Sequence, residues 1–287
     1  MTSIVDNLKD AFKYPLYDIK KIGILAILYF IPAGLSLISD YIILDIVKQS
    51  VISSSFFKMT ILGDLSLKQQ ATLIPHINLI FLGIIAIISI LLGILTYGYL
   101  YKIIESTMNG ENNLPKINSY KKMIKKGVKI TIIGIIYSLI ISVLLIINIK
   151  IINISAHSNL GVLGLISSTI FAILSIFIIA IELISIINMI KKEGKLSNAF
   201  KFSEIFELIS KLGKIRTFGA IIISSFASLI ILISGIILLI IILILLTYCG
   251  INQQFIQLLI GSIIVALLIS YCSISISRFY GLVYKDL

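Results

Sequence analysis

One acidic residue, Glu182, sits well inside an apolar run, with Ser185 and Asn188 following at intervals of three. On a helix such positions neighbour one another. An ionisable group at membrane depth is costly, which marks it as a candidate site for relaying a proton or binding a cation. A carboxylate would take the proton or cation, and a hydroxyl and an amide would complete its shell. A structural reading competes. Leu160 to Ala180 alone is long enough to span a bilayer, which leaves Glu182 near the inner boundary, within reach of a snorkelling Lys191 or Lys192.

The second chemistry is cationic. Lysine and arginine total 24 against 13 acids, a net charge of +11. Lys121, Lys122, Lys125 and Lys126 lie opposite Ile117, Tyr120, Ile124 and Val128. Lys211, Lys214 and Arg216 accompany Phe202, Ile205, Phe206, Ile209 and Leu212. Apolar residues at helical spacing with a basic face describe helices lying in the headgroup plane, their cations toward anionic lipid. The N-terminal segment repeats the pattern with Val5, Leu8, Phe12, Leu16 and Ile19. Ser3 is placed to cap that helix and Pro15 to bend or end it.

Catalytic signals are absent from the sequence. It has no phosphate-binding glycine motif, no H-E-x-x-H and no nucleophile elbow. His76 and His157 fall in separate connections, and Cys249 and Cys272 read as small apolar residues. Glu105, Glu111, Glu193, Glu204 and Glu207 are outnumbered by lysines and lack ligand spacing. No catalytic, metal or cofactor-binding residue is expected.

The elements that must carry these residues follow from composition. Hydrophobic residues make up 59% of the chain and charged ones 13%, with a mean hydropathy of +1.12. So few charges cannot cover so apolar a core in water, so the solvent for most of the surface is lipid. Six runs reach spanning length, at about 22–44, 77–101, 128–149, 160–190, 218–247 and 255–280. They do not alternate, which excludes a barrel. Twenty of the 24 Lys and Arg fall in the N-terminal segment, the second–third and fourth–fifth connections and the C-terminal segment. The remaining four are Lys48, Lys58, Lys68 and Lys150. The excess of positive charge marks the inside, so a multi-pass plasma-membrane protein with both termini cytoplasmic is expected. No cleavable leader is expected, because the first apolar run begins near Ile22 behind a charged segment.

Three further expectations concern detail. Asp10-Ala-Phe-Lys-Tyr14 and Asn198-Ala-Phe-Lys-Phe202 read alike, suggesting three units, each a basic interfacial helix followed by a transmembrane hairpin. Gly83, Gly93 and Gly134 suggest close helix contacts. Between Asp45 and His76, Ser66 is placed to cap a short helix that Pro75 would end; Pro32 should kink the first span, with Asp40 an interface marker.

Several markers in the polar connections together carry a resemblance: Asp10-Ala-Phe-Lys-Tyr-Pro15; Gly98-Tyr-Leu-Tyr-Lys-Ile-Ile104; Asn109-Gly-Glu111; Leu114-Pro115; Lys126-Gly-Val-Lys129; and Glu193-Gly-Lys-Leu-Ser-Asn-Ala-Phe-Lys-Phe202. The chain resembles the archaeal membrane family filed as domain of unknown function 4013. That resemblance implies a multi-span membrane protein of uncharacterised activity and transfers no catalytic residues. A more distant similarity to the membrane regions attached to glycerophosphodiester phosphodiesterases implies no chemistry, since the sequence holds no counterpart of their catalytic domain.

The sequence therefore reads as an all-α polytopic transmembrane helix bundle of six spans, with three basic amphipathic interfacial helices. It reads as non-enzymatic, its basic face contacting anionic lipid, protein partners or a second copy of itself, with no nucleic acid partner. The alternative is a small transporter using Glu182, and a membrane enzyme ranks third.

Overall fold

The computed structural model describes residues 3–32, 76–157, 161–248 and 254–285, and every long element in it is a helix. The expected Ser66-capped helix and Asp40 lie outside the described residues, as does the first span beyond Pro32.

The N-terminal segment folds as its residues dictate. Helix α1, Ile4–Lys13, starts at Ser3, whose hydroxyl oxygen accepts from the Asp6 amide at 3.1 Å. Pro15 converts the chain to a 3-10 turn over Tyr14–Asp18, and the helix α2 then runs over 19–32. The long helices are α3 (His76–Met108), α4 (Tyr120–His157), α5 (Gly161–Lys191), α7 (Lys214–Tyr248) and α8 (Gln254–Val283). Five stretches of them, one in each helix, are long and apolar enough to cross a membrane. At 31 residues α5 extends about 46 Å, well beyond a hydrocarbon core of about 30 Å. Helix α4 is longer still at 38 residues. Both ends of the expected third span, 128–149, therefore continue as helix, carrying Lys121, Lys122 and Lys125 on the same rod as the span.

This corrects the expected second interfacial helix. Residues 111–119 form no helix, and Leu114 is buried in the loop. Pro115 and Ser119, the latter with φ of +56°, keep that stretch irregular. From Tyr120 no breaker intervenes, so the basic segment simply begins α4. The third segment does form its own amphipathic helix, α6 (Phe202–Leu212), which buries Ile205, Ile209 and Leu212. Gly213, at φ +91°, turns the chain directly into α7.

Two compact units can be distinguished. One comprises Met1–Lys21, Ile94–Ile231 and Tyr271–Leu287, the other the described parts of Ile22–Gly93 and Leu232–Ser270. In the first unit the core sits at the basic end of the helices. Tyr101, Ile133, Ile184, Ile187, Met189, Phe279 and Tyr284 pack there with Ala11 and Ala199. Farther along, the spans face outward, with between 6% and 28% of each apolar window buried. That surface suits lipid. In the second unit, Gln257 donates to the Thr247 hydroxyl at 3.1 Å.

The glycines that matter differ from those expected. A Cβ added at Gly83 or Gly93 would meet nothing within 4 Å, whereas one at Gly98 would lie 2.0 Å from the Met123 carbonyl oxygen. One at Gly127 would lie 1.9 Å from that of Ile94. Helices α3 and α4 therefore cross backbone to backbone through this pair. Gly98→Ala or Gly127→Ala should destabilise the detergent-solubilised protein by about 1–3 kcal/mol through forced separation of the helices. Gly83→Ala and Gly93→Ala should be neutral or mildly stabilising. Equal melting of all four variants would contradict the crossing.

Candidate functional site

Three polar arrangements lie in the first unit. The most deeply buried surrounds Arg278, near the C-terminal end of α8. Its Nε donates to Asp10 Oδ2 at 3.1 Å, and Nη1 donates to the Glu111 carbonyl at 2.6 Å and to Thr107 Oγ1 at 3.3 Å. Nη2 donates to Asn112 Oδ1 at 3.0 Å, and the guanidinium lies 4.5 Å over the Tyr14 ring. The Tyr14 hydroxyl donates in turn to the Asn113 carbonyl, and burial pushes its phenol above the usual range despite the Arg278 charge. The loop is presented by a helix end in which Gly110 (φ +85°) and Glu111 donate back to Thr107 and Ser106. One buried cation thus ties α1, α3, the following loop and α8 together. All of its partners are fixed, so this is a structural knot.

The second arrangement is open. The last turn of α5 supplies Asn188 and Lys191, the turn after it Lys192, and one stripe of α6 supplies Glu204, Glu207, Leu208 and Lys211. Together they line a cleft of about 300 Å³. Lys192 Nζ lies 2.7 Å from Glu204 Oε2, which also accepts from Asn188 Nδ2 at 3.2 Å. Lys201 meets Oε1 at 3.3 Å. The two lysines and the amide hold the Glu204 carboxyl down at about 2, Lys192 contributing most. Lys211, 2.7 Å from Glu207, lowers that carboxyl as well. Asn188 also donates to the Asn198 carbonyl at 2.7 Å, which fixes the turn entering α6. Lys191 has no ion-pair or hydrogen-bond partner among the described residues.

The third arrangement is the expected intramembrane trio, which the structure separates. Ser185 is fully buried, and its hydroxyl pairs with the Tyr137 hydroxyl of α4 at 2.7 Å. Asn188 belongs to the cleft. Glu182 is half-buried with an oxygen near Gly134, where an added Cβ would lie at 3.5 Å. Its carboxylate makes no hydrogen bond or ion pair among the described residues. Neither expected snorkelling partner reaches it: Lys192 pairs with Glu204, and Lys191 lines the cleft. Glu182 lies nine residues before Lys191, about 14 Å along the axis.

The basic residues also divide. Lys121, Lys122 and Lys125 are exposed. Lys126 instead turns inward, paired with Glu105 and 4.6 Å over the Tyr101 ring. Lys211 is exposed but paired; Arg216 is half-buried and partnered; the Lys214 side chain lies outside the described residues. Lys129, which the sequence offered only as part of a family marker, donates to the Gly194 carbonyl. An apolar hollow of about 300 Å³ between α4 and α5 contains a Ser167–Asn148 hydrogen bond of 2.6 Å and no charge. Among the described residues, no three His, Cys, Asp or Glu side chains gather where they would hold a metal.

A chain whose described elements are all helical, five of them long and apolar enough to cross a membrane, is a multi-pass membrane protein. The profile of a family described as protein of unknown function (DUF4013) matches residues 81–246, and the chain belongs to that family. No curated protein and no solved structure matches it.

Two outcomes follow. Arg278→Ala should cost about 3 kcal/mol by orphaning buried partners, with Arg278→Lys restoring only part because it lacks the fork. Thermal melting in detergent measures both, and an Arg278→Ala variant that melts with the wild type would remove the knot. For Glu204 the folded carboxyl titrates below its unfolded value, so its contribution is present above about pH 4.3 and fades as pH falls toward about 2. The melting difference between wild type and Glu204→Gln should be constant from pH 8 to 5 and close below that. A difference independent of pH argues against the carboxylate's role.

Proposed function

We propose that this chain is a six-span, non-enzymatic plasma-membrane protein with both termini in the cytoplasm. Its basic end engages anionic lipid headgroups and presents a face to protein partners or a second copy. The observation that carries this reading is the gathering of cations at one end of the first unit. The ends of α3, α5 and α8 and the starts of α4 and α7 lie with the basic connections, and the open cleft lies among them. Phe202 and Phe206, four residues apart, stand exposed on α6 while Ile205, Ile209 and Leu212 are buried. That pattern suits a helix inserting one stripe among lipids and another into protein. The apolar run at 22–44, helical where described, supports the sixth span.

A threefold organisation gains support from how the connections dock. The N-terminal segment sits on the end of α8, through Asp10–Arg278 and the Tyr271 hydroxyl donating to the Phe12 carbonyl. The 109–119 loop sits on α3, through Tyr99 to the Pro115 carbonyl and Lys102 to the Lys116 carbonyl. The 196–212 segment sits on α5, through Asn188. Each connection thus docks on the closing helix of a hairpin. Ala11 and Ala199, equivalent in the two similar motifs, are both fully buried.

A transporter-like role is the second reading, favoured by one observation, the unpaired Glu182 carboxylate beside Gly134 and the Tyr137–Ser185 pair.

The leading reading is tested with the full chain in neutral detergent, titrated with short-chain phosphatidylglycerol and phosphatidylcholine. Phosphatidylglycerol should bind more tightly, and its advantage should shrink between about 0.1 M and 1 M salt as the screening length drops from about 10 Å to 3 Å. Equal affinity for both lipids, or no dependence on salt, would falsify the lipid-contacting face.

A further inference from the structure

We propose that the cleft between α5 and α6 is a discrete seat for the phosphate of a lipid headgroup, with Lys191 its principal ligand and Lys192 and Lys211 at its flanks. This rests on the reading of the basic end as a lipid-contacting face. The charges in and beside the cleft set its preference. Glu204 is satisfied by Lys192, Lys201 and Asn188, and Glu207 by Lys211. Four lysines therefore face two carboxylates, a surplus of two positive charges, and Lys191 is the one of the four with no carboxylate partner among the described residues. The surplus matches a phosphate, which carries between one and two negative charges according to its esterification.

The carboxylates do more than neutralise. Each holds a flexible lysine in position, which reduces the entropy that ligand binding must overcome. An ammonium has three N–H donors. Lys192 and Lys211 each commit one to a glutamate, so donors remain at both flanks, and all three remain on Lys191.

Location selects the lipid over a soluble anion. Lys191 is the last residue of a 31-residue apolar helix that is longer than the hydrocarbon core, so the cleft opens on the headgroup side of that core. A bilayer delivers headgroups to that level at high local concentration. Leu208 adds an apolar wall among the charges, suited to the glycerol and first methylenes of a lipid. About 300 Å³ is at the small end of ligand pockets, enough for a phosphate and its glycerol.

The test uses the full chain in dodecyl maltoside, with native mass spectrometry reporting lipid occupancy. Dioctanoyl phosphatidic acid is the probe, dioctanoyl phosphatidylcholine and inorganic phosphate the comparisons. Lys191 touches no partner among the described residues, so Lys191→Gln should fold normally and weaken phosphatidic acid binding roughly ten- to a hundredfold, the loss of one charge-assisted bond. Lys211→Gln should weaken it less. The triple variant Lys121→Gln, Lys122→Gln, Lys125→Gln should stay within about twofold of wild type, since screened charges outside the site contribute little. If the triple variant loses affinity while Lys191→Gln does not, lipid contact is diffuse; the seat is overturned and the broader reading stands. Wild type that holds phosphatidylcholine as tightly as phosphatidic acid sinks both. Displacement by inorganic phosphate at concentrations matching the lipid's overturns the headgroup assignment.

Discussion

A guanidinium taken out of water must find acceptors for its N–H donors, and that requirement organises the basic end of this protein. Arg278 is 3% exposed, and its hydrogen bonds run to α1, α3 and the loop that follows α3. Burying such a charge is tolerable only with this degree of satisfaction. Each partner is therefore constrained in turn. Asp10 fixes the rotation of α1, which sets Ala11 into the core, and the loop geometry places Leu114 and Asn113 against their neighbours. In lipid the apolar spans gain little from contacting one another, so polar and close-packed contacts must hold the bundle. The Arg278 knot, the Asn188–Glu204 cluster and the Gly98–Gly127 crossing supply them.

This placement explains why the core and the candidate cleft coincide. Along the outward stretches, side chains have lipid as solvent and need no protein neighbour. At the basic end the helices emerge from hydrocarbon, water competes, and short amphipathic segments can bury apolar stripes against the span ends. Helix α6 does this with Ile205, Ile209 and Leu212 while turning its charged stripe to Lys191 and Lys192. The cleft is a by-product of fold-stabilising contacts that leave one lysine over.

Much of this was legible in the sequence because it depends on periodicity and hydropathy. The long apolar runs, the Ser3 cap, the break at Pro15 and the amphipathic stretch at 202–212 are local signals, and the described helices follow them. What was illegible depends on which elements meet. Arg278 counts in the sequence as one more topological cation, because nothing local reveals its burial. Gly98 and Gly127 look no different from Gly83 and Gly93, and only the crossing distinguishes them. Glu182, Ser185 and Asn188 share a helical spacing, yet their neighbours are Gly134, Tyr137 and Asn198. Spacing fixes direction on one helix and says nothing of what stands opposite. The expected interfacial helix from Leu114 to Val128 differs for another reason: its lysines and apolar residues fit such a helix, but a continuous rod from Tyr120 satisfies the same pattern without a break.

The bond between Asp10 and Arg278 joins residues 268 positions apart. At about 5–20 residues per second of synthesis, α1 leaves the ribosome tens of seconds before its partner is made. During that interval the N-terminal helix has an exposed acid, an unburied Ala11 and no seat. Arrival of α8 then closes the structure like a latch, so a cell could distinguish finished from unfinished copies by whether that first helix is still loose.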